Sequence, residues 1–503
     1  MSENSYDIVL VGSGLGALLC AVILGKHGYR VCVLEKNRQY GGCLQSFARG
    51  KQVFDSGVHY IGSLAPGETL HQVFKYAEIM DDLPLEKMDE AVFDRIVFLD
   101  DNESYDQAQG YANFADTLIR QFPEEADAIH RYCEKLQLIC RHFAYYQLRP
   151  GQGLQEKQPV LGIPLKAYLE SLTSNTRLQE VLAGNGLLYA GEGDITPFYV
   201  HALIMNSYIE SAWKCVDGGA QITRLLLKTI RRYGGTLFNR SEVVSLEEKD
   251  GLICAAVLRN GKRIEGKKFI SNLHPQRTIQ LTTSRLLRPL YRQRITAMRN
   301  TTSSFCAYLT LKPGAIRYEK ANYYLHTTNG VWEAVHCDPK AWPQTVFVFF
   351  GASSQQSDCA TTVILMAYMP YNWMQPWANS FNTDAEPGDR GETYAAFKRE
   401  MEQKLIAVAA ISRICLRLFI PSAAQPRSRT AIYRHGRRLP LRHCQKCSRT
   451  RQQLCGGSYQ GSEFVPYRPE PPDARAAGVA IGALQTCSEF VDPTELLEKI
   501  RHA

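Results

Sequence analysis

Residues 6–35 constrain what this chain can fold into more than any other stretch. Tyr6-Asp7-Ile8-Val9-Leu10-Val11 is a short apolar run with strand character, and it leads into Gly12-Ser13-Gly14-Leu15-Gly16-Ala17. An apolar, helix-like segment then runs to Gly28, and a β-branched run, Arg30-Val31-Cys32-Val33-Leu34, ends at Glu35. Strand, glycine turn, helix, strand and terminal acid in this order form the unit that binds a dinucleotide. Gly12 permits the tight turn, and Gly14 lets the backbone approach a pyrophosphate. Gly16 opens the helix, and Ala17 takes the small position where helix and strand pack closely. The helix N-terminus offers N–H groups and a positive dipole end to the phosphates. Glu35 is placed to accept hydrogen bonds from a ribose. A βαβ turn that uses glycine for sterics alone leaves the spacing to Glu35 unexplained.

The residues beyond the acid separate the dinucleotides. Gly41-Gly42-Cys43-Leu44-Gln45-Ser46-Phe47 comes just past Glu35 and Lys36, and Phe54-Asp55-Ser56-Gly57-Val58-His59-Tyr60-Ile61-Gly62 comes next. On these motifs the chain resembles the FAD-dependent phytoene and other carotenoid desaturases, the carotenoid isomerases and the all-trans-retinol 13,14-reductases (retinol saturases). The FDSGVHYIG string is most like the last two. The resemblance extends over residues 5–410 and the last twenty-five, with motifs that are specific at the N-terminus and loose in the middle. It implies an α/β fold: a Rossmann-like FAD-binding domain of the GR2 type with an intertwined α+β substrate domain. It further implies FAD as cofactor, with Gly12, Gly14, Gly16, Ala17, Glu35, Lys36, Gly41 and Gly42 at its site and the backbone of Val243 against the adenine. NAD(P)H is an expected electron donor.

At 503 residues, two intertwined domains are expected rather than one simple core. A hydrophobic fraction of 45% with 21% charged residues is that of an ordinary globular protein. No run of eighteen apolar residues occurs, so no spanning helix is expected. The apolar N-terminus lacks a basic leader and belongs to the glycine motif, so a secretory signal is not expected. Fifteen cysteines, scattered without a framework, suggest reduced thiols in a cytoplasmic setting. The net charge of +8 misleads: residues 412–476 hold twelve Arg and one Lys against Glu463, Glu470 and Asp473, a net of +10. Subtracting 10 from 8 leaves −2 for the remainder. The basic character is confined to one segment, and no nucleic-acid partner is expected.

Along the chain, Tyr111–Arg120 and Glu124–Tyr146 carry helical periodicity, and Leu187–Trp213 reads as further helical material. Such a part forms either a cap over an apolar substrate or ordinary helical core. Gly218-Gly219-Ala220-Gln221 opens another helix ending near Gly234-Gly235, and Ser241–Leu246 reads as a strand. Gly251–Lys262 reads as a hairpin with Asn260-Gly261 at its turn, followed by a strand at Phe269–Asn272. β-like runs at Phe305–Leu311 and Thr345–Phe350 suit a substrate-domain sheet. The expected partition is a discontinuous FAD-binding domain (1–63, 212–285, 478–503), a substrate domain (64–211, 286–410) and an aberrant basic segment (411–477).

In that segment Arg, Pro, Gln and Cys replace amphipathic order. A basic insert or a nucleic-acid-binding loop would explain it, as would a zinc site of Cys444, Cys447 and Cys455 with His435 and His443. The preferred reading is a translated frameshift. Codons for Arg434–His443 exist that, read one nucleotide later, encode GTADGSLYG, and codons for Pro466–Gly478 likewise encode LTGQNLQMHGLLG. Ile411-Ser412-Arg413 shifts to FPG. All three strings resemble the family's C-terminal region, where a TG…N…HG segment closes over the flavin. On this reading the Cys/His cluster is accidental and no metal is expected.

The resulting expectation is an oxidoreductase that exchanges a hydride between flavin and an apolar polyene, a carotenoid or retinoid, as saturase, desaturase or isomerase. His59 and Tyr60 are the candidate proton donors, with a structural role as the alternative for His59. Competing readings are a flavin amine oxidase and a catalytically dead chain. An apolar small molecule is the expected partner, with peripheral membrane contact.

Overall fold

The computed structural model describes residues 5–411, apart from 50, 152, 285–286, 299, 315, 328–330, 337, 356–357 and 381–389, together with 429–433, 464–466 and 476–503. The frameshift strings therefore lie outside the described residues, except at 411, 466 and 476–478. The Cys444, Cys447, Cys455, His435 and His443 cluster lies wholly outside them.

The chain opens with β1 (Ser5–Val11), α1 (Leu15–Lys26) and β2 (Val31–Leu34). A hairpin comes next, β3 (Ser46–Arg49) and β4 (Gln52–Asp55), then β5 (Ile61–Gly62), β6 (Leu85–Lys87), β7 (Asp94–Phe98) and β8 (Ser104–Gln107). A helical layer succeeds these strands, with α2 (Tyr111–Gln121), α3 (Ala126–Arg141) and α4 (Phe198–Glu210) as its main members. After β9 (Ala212–Cys215) and α5 (Ala220–Arg232) the chain returns through β10 (Thr236–Phe238), β11 (Val243–Lys249), β12 (Leu252–Leu258) and β13 (Arg263–Ser271). The later elements include β14 (Ser303–Thr310), β15 (Asn322–His326), β16 (Thr345–Phe350), β17 (Thr362–Met369), α6 (Gly391–Ile411), β18 (Arg429–Tyr433), β19 (Phe464–Pro466) and α7 (Ala476–Cys487).

Two seven-stranded sheets organise these elements. The first runs β10-β2-β1-β13-β12-β11, with β19 parallel to the C-terminal end of β13. β1 lies parallel to both β2 and β13. Covered on both faces, β2 and most of β1 read as continuous apolar runs instead of alternating ones. Helix α1 is buried from Leu15 through Gly25 because α5 and α7 cover the side turned away from the sheet. A helix apolar all round belongs in such a place.

The second sheet runs β18-β14-β17-β16-β15-β7-β8, antiparallel except for β7 beside β15. Its strands alternate between two cores, as a period of two requires. Tyr308, Tyr324, Phe347, Phe349 and Ile364 join the helical layer, whereas Ala307, Tyr323, Val348, Phe350 and Leu365 join a core with Met401 and Leu405 of α6. A small sheet of its own runs β5-β9-β6.

Some local expectations are corrected. Leu187–Trp213 is not one helix: α4 begins only at Phe198, after an irregular stretch containing Gly191, Gly193 and Pro197, and β9 begins at Ala212. Glycine and proline break the backbone there although the apolar pattern continues. Glu124–Tyr146 resolves into α3 followed by a short 3-10 turn at Ala144–Gln147. Between residues 64 and 110, β7 and β8 form the edge of the second sheet, a pairing made only with distant β15.

Candidate active site

The glycine turn and the acid meet as their spacing requires. Gly12 has φ 94° and donates to the Leu34 carbonyl at 2.8 Å. Glu35, 6% exposed, accepts on Oε2 from Ser13 Oγ at 2.6 Å and Ser13 N at 3.2 Å, and on Oε1 from Asn37 N at 2.8 Å. Gly14 caps α1 with extended geometry and no side-chain hydrogen bond, which leaves the first-turn N–H groups for a ligand. Gly16 and Ala17 lie buried in the first turn of α1, and Lys36 is exposed beside the acid. Val243 starts β11 close by, since Ser241 N donates to the Glu35 carbonyl at 2.7 Å.

Four further loops converge on this turn. Gly14 and Gly41 form an isolated parallel bridge, and Gly41, with φ 110°, donates to the Ser13 carbonyl at 3.0 Å. A Cβ on Gly14 would stand 2.6 Å from Asn272 Nδ2, and one on Gly42 would stand 3.2 Å from the Gly14 Cα. A Cβ on Gly41 would collide with Thr223 Oγ1. These glycines are small because other backbone and side chains already occupy the space a methyl would need. Asp55 ties in the fourth loop: its Oδ1 accepts from Gly219 N at 2.7 Å and Ser46 Oγ at 2.9 Å. Burial pushes its carboxyl up to about 6, against the pull of those two donors.

One observation tests whether this cradle suits a dinucleotide. Thr223 Oγ1, at the start of α5, is buried and has no hydrogen-bond partner among the described residues. A buried hydroxyl costs free energy unless something bonds to it. It lies against Gly41, beside the uncapped α1 N-terminus and Glu35, so the polar groups of a nucleotide fit the donor and acceptor set.

On the other side, the FDSGVHYIG segment carries the cradle to the second sheet. His59 is half-buried, with its ring 5.8 Å from Phe347 and 5.2 Å from Phe349 of β16. Phe47 and Phe54 of the β3–β4 hairpin pack on each other and both meet Tyr308 of β14 edge-on. Tyr60 is 3% exposed, stacks on Tyr208 at 4.3 Å and donates to Asp94 Oδ2 at 2.9 Å. The two candidate donors thus differ: His59 is half-buried, with Nδ1 turned inward, and Tyr60 is enclosed.

Ser13, Thr223, Asn272 and Asp94 were not anticipated as site residues. Ser13 stood inside the motif and was legible there. Thr223 and Asn272 reach the site only through the return of the chain. Among the described residues no group of His, Cys, Asp and Glu suited to a metal occurs, and no disulfide links two of the ten described cysteines.

The profile of the NAD(P)-binding Rossmann-like domain matches residues 10–77. The all-trans-retinol 13,14-reductase of Rattus norvegicus is 25% identical over 449 residues, covering 80% of this chain and 71% of the rat protein. A chloroplastic prolycopene isomerase of an Oncidium hybrid cultivar is 25% identical over 288 residues, 54% of this chain and 48% of its own. The solved structure of a putrescine oxidase triple mutant shares the fold, with TM-score 0.62 and 11% identity over 97% of this chain and 99% of that one. By these likenesses, and by a nucleotide cradle built on the opening motif, the chain is similar to the all-trans-retinol 13,14-reductases, prolycopene isomerases and diapophytoene desaturases, oxidoreductases and isomerases, and its opening domain is Rossmann-like.

Proposed function

We propose that this chain is an FAD-dependent oxidoreductase acting on an apolar polyene, a carotenoid or retinoid. The observation that carries the proposal is the meeting, at His59, of the nucleotide cradle and an aromatic wall formed by Phe347 and Phe349. Flat aromatic rings beside the cradle suit a flat conjugated chain.

Bound FAD supplies hydride exchange with a substrate carbon. The protein's own residues do the rest. Glu35 and the α1 N-terminus would hold ribose and pyrophosphate, and Thr223 would give its unsatisfied hydroxyl to the cofactor. The aromatic wall orients the polyene and keeps water out. In the saturating direction one double bond takes a hydride and a proton on neighbouring carbons, and His59, the less enclosed of the two candidates, is the proposed proton source. NAD(P)H is the proposed electron donor. The proposed setting is cytoplasmic with peripheral membrane contact, and nucleic acid is not a proposed partner; among the described residues no helix is long and apolar enough to cross a membrane.

The likeness to putrescine oxidase, at 11% identity, is one of fold and carries no argument about substrate. The reading of residues 411–477 as frameshifted belongs to the same proposal, because the family's flavin-closing segment would lie there. The test is to express the chain as written and a version with 411–477 in the shifted frame. We expect flavin absorbance in the second, with turnover of retinol or a carotenoid. Flavin-loaded protein that oxidises amines and leaves polyenes untouched overturns the substrate class. An uninterrupted coding frame matching 411–477 as written overturns the frameshift.

A further inference from the structure

Asp94 lies wholly inside the protein, at the start of β7, where three donors from three other segments converge on it. Tyr60 Oη donates to Oδ2 at 2.9 Å, Asn185 Nδ2 to Oδ2 at 2.8 Å and Asn322 Nδ2 to Oδ1 at 2.9 Å. Asn322 pairs directly with Asp94 across β15–β7. Tyr324, two residues on in β15, places its hydroxyl 2.8 Å from that of Tyr60. With the Tyr60 proton directed at Asp94, Tyr324 donates in this pair. The three phenol and carboxyl groups therefore form a chain with one direction, Tyr324 to Tyr60 to Asp94.

A buried carboxyl group is costly unless its oxygens are hydrogen-bonded, as these are by Tyr60, Asn185 and Asn322. What this one achieves is registration. It ties the loop after β4 to the edge of the second sheet and to the turn at Asn185, so the residue before Tyr60 is held in place. That residue is His59, set against Phe347 and Phe349.

We propose that Asp94 is a positioning residue that commits the Tyr60 proton, removes Tyr60 from proton delivery, and fixes His59 as the group presented to the substrate. The proposal rests on the polyene reading, and its test separates the two.

The experiment uses the flavin-loaded full chain with 411–477 in the shifted frame, as the wild type, and its Tyr60→Phe, Asp94→Asn and His59→Gln variants. Tyr60→Phe deletes only the hydroxyl and keeps the stack on Tyr208, so it serves if Asp94→Asn does not fold. Two readouts are taken: the pH profile of kcat with retinol, and the ring resonances of His59 in protein labelled at histidine, assigned by their loss in His59→Gln. We expect Tyr60→Phe to move and broaden the His59 resonances and to lower kcat about tenfold with KM little changed. Its pH profile keeps the limb that His59→Gln loses. A Tyr60→Phe variant that loses the limb while the His59 resonances stay put overturns the proposal, since Tyr60 is then the donor. Unchanged resonances with unchanged turnover overturn it as well. If the wild-type chain binds flavin and turns over no polyene, the functional reading fails, and the resonances alone decide the role of Asp94.

Discussion

Ser13 Oγ donates to Glu35 Oε2 at 2.6 Å, joining the glycine turn to the acid twenty-two residues later. The same oxygen accepts from Gly41 N at 3.2 Å, so one hydroxyl links the three parts of the proposed nucleotide site. A hydrogen bond to a charged group contributes about 1.5–3 kcal/mol. Ser13→Ala is expected to weaken flavin binding about tenfold or more by freeing Glu35 to rotate. Titration of the flavin-free protein, followed by flavin fluorescence, measures this. An unchanged affinity would show that Glu35 is held by its other partners.

Thr223→Val separates ligand from fold. Its hydroxyl is buried without a partner among the described residues, so replacing it with a methyl removes an unsatisfied group. The flavin-free protein should be as stable as the wild type or more so, by about 1 kcal/mol. The flavin-loaded protein should lose affinity, because the cofactor then lacks that partner. Denaturation midpoints with and without flavin check it, and equal shifts in both states would remove Thr223 from the site.

How far all this was legible in the sequence depends on the range of each contact. Gly12, Gly14, Ala17 and Glu35 sit within one βαβ unit, where local geometry dictates residue type, and the cradle is built from them. Gly41 and Gly42 were readable as a close approach, but their neighbours were not: Thr223 and Asn272 come back from more than 180 residues away. Asp94 was invisible for the same reason. Its three partners come from residues 60, 185 and 322, and no pattern near Asp94 announces a buried carboxyl group. The strands β7 and β8 were missed because a short edge pair takes its stability from β15.

Lys214 tests how a buried amine couples to pH. It is fully buried in β9, donates to the Phe350 carbonyl at 3.0 Å and the Glu319 carbonyl at 3.4 Å, and lies over the Phe349 ring. Burial pulls its pKa down to about 7, with nearby Glu86, Asp94 and Glu319 opposing. The unfolded chain therefore binds more protons than the folded one between pH 7 and the ordinary lysine value of 10.5, and the Lys214 contribution rises with pH across that window. Compared with Lys214→Met, the wild type should gain stability steadily from pH 7 to pH 9.5. Denaturant midpoints of the two proteins at several pH values show this, and a constant gap would mean that Lys214 keeps an ordinary pKa.

His201 gives the opposite end of the scale. It is wholly buried in α4, with Nε2 at 2.6 Å from the Tyr132 hydroxyl and Nδ1 at 2.8 Å from the Tyr189 hydroxyl. A neutral imidazole satisfies both phenols, one nitrogen donating and the other accepting. Burial lowers its pKa to about 3. Its folded value lies below the unfolded 6.5, so its contribution is complete above pH 6.5 and is lost as pH falls towards 3. His201→Gln should cost about 2 kcal/mol at pH 7.5 by breaking the phenol bridge. That cost should shrink between pH 6.5 and pH 4.5, because the variant has no imidazole for the unfolded chain to protonate. Unfolding both proteins in denaturant over this range is the measurement. A cost that stays level would place the protonated ring inside the folded helical layer and remove His201 as a source of acid sensitivity.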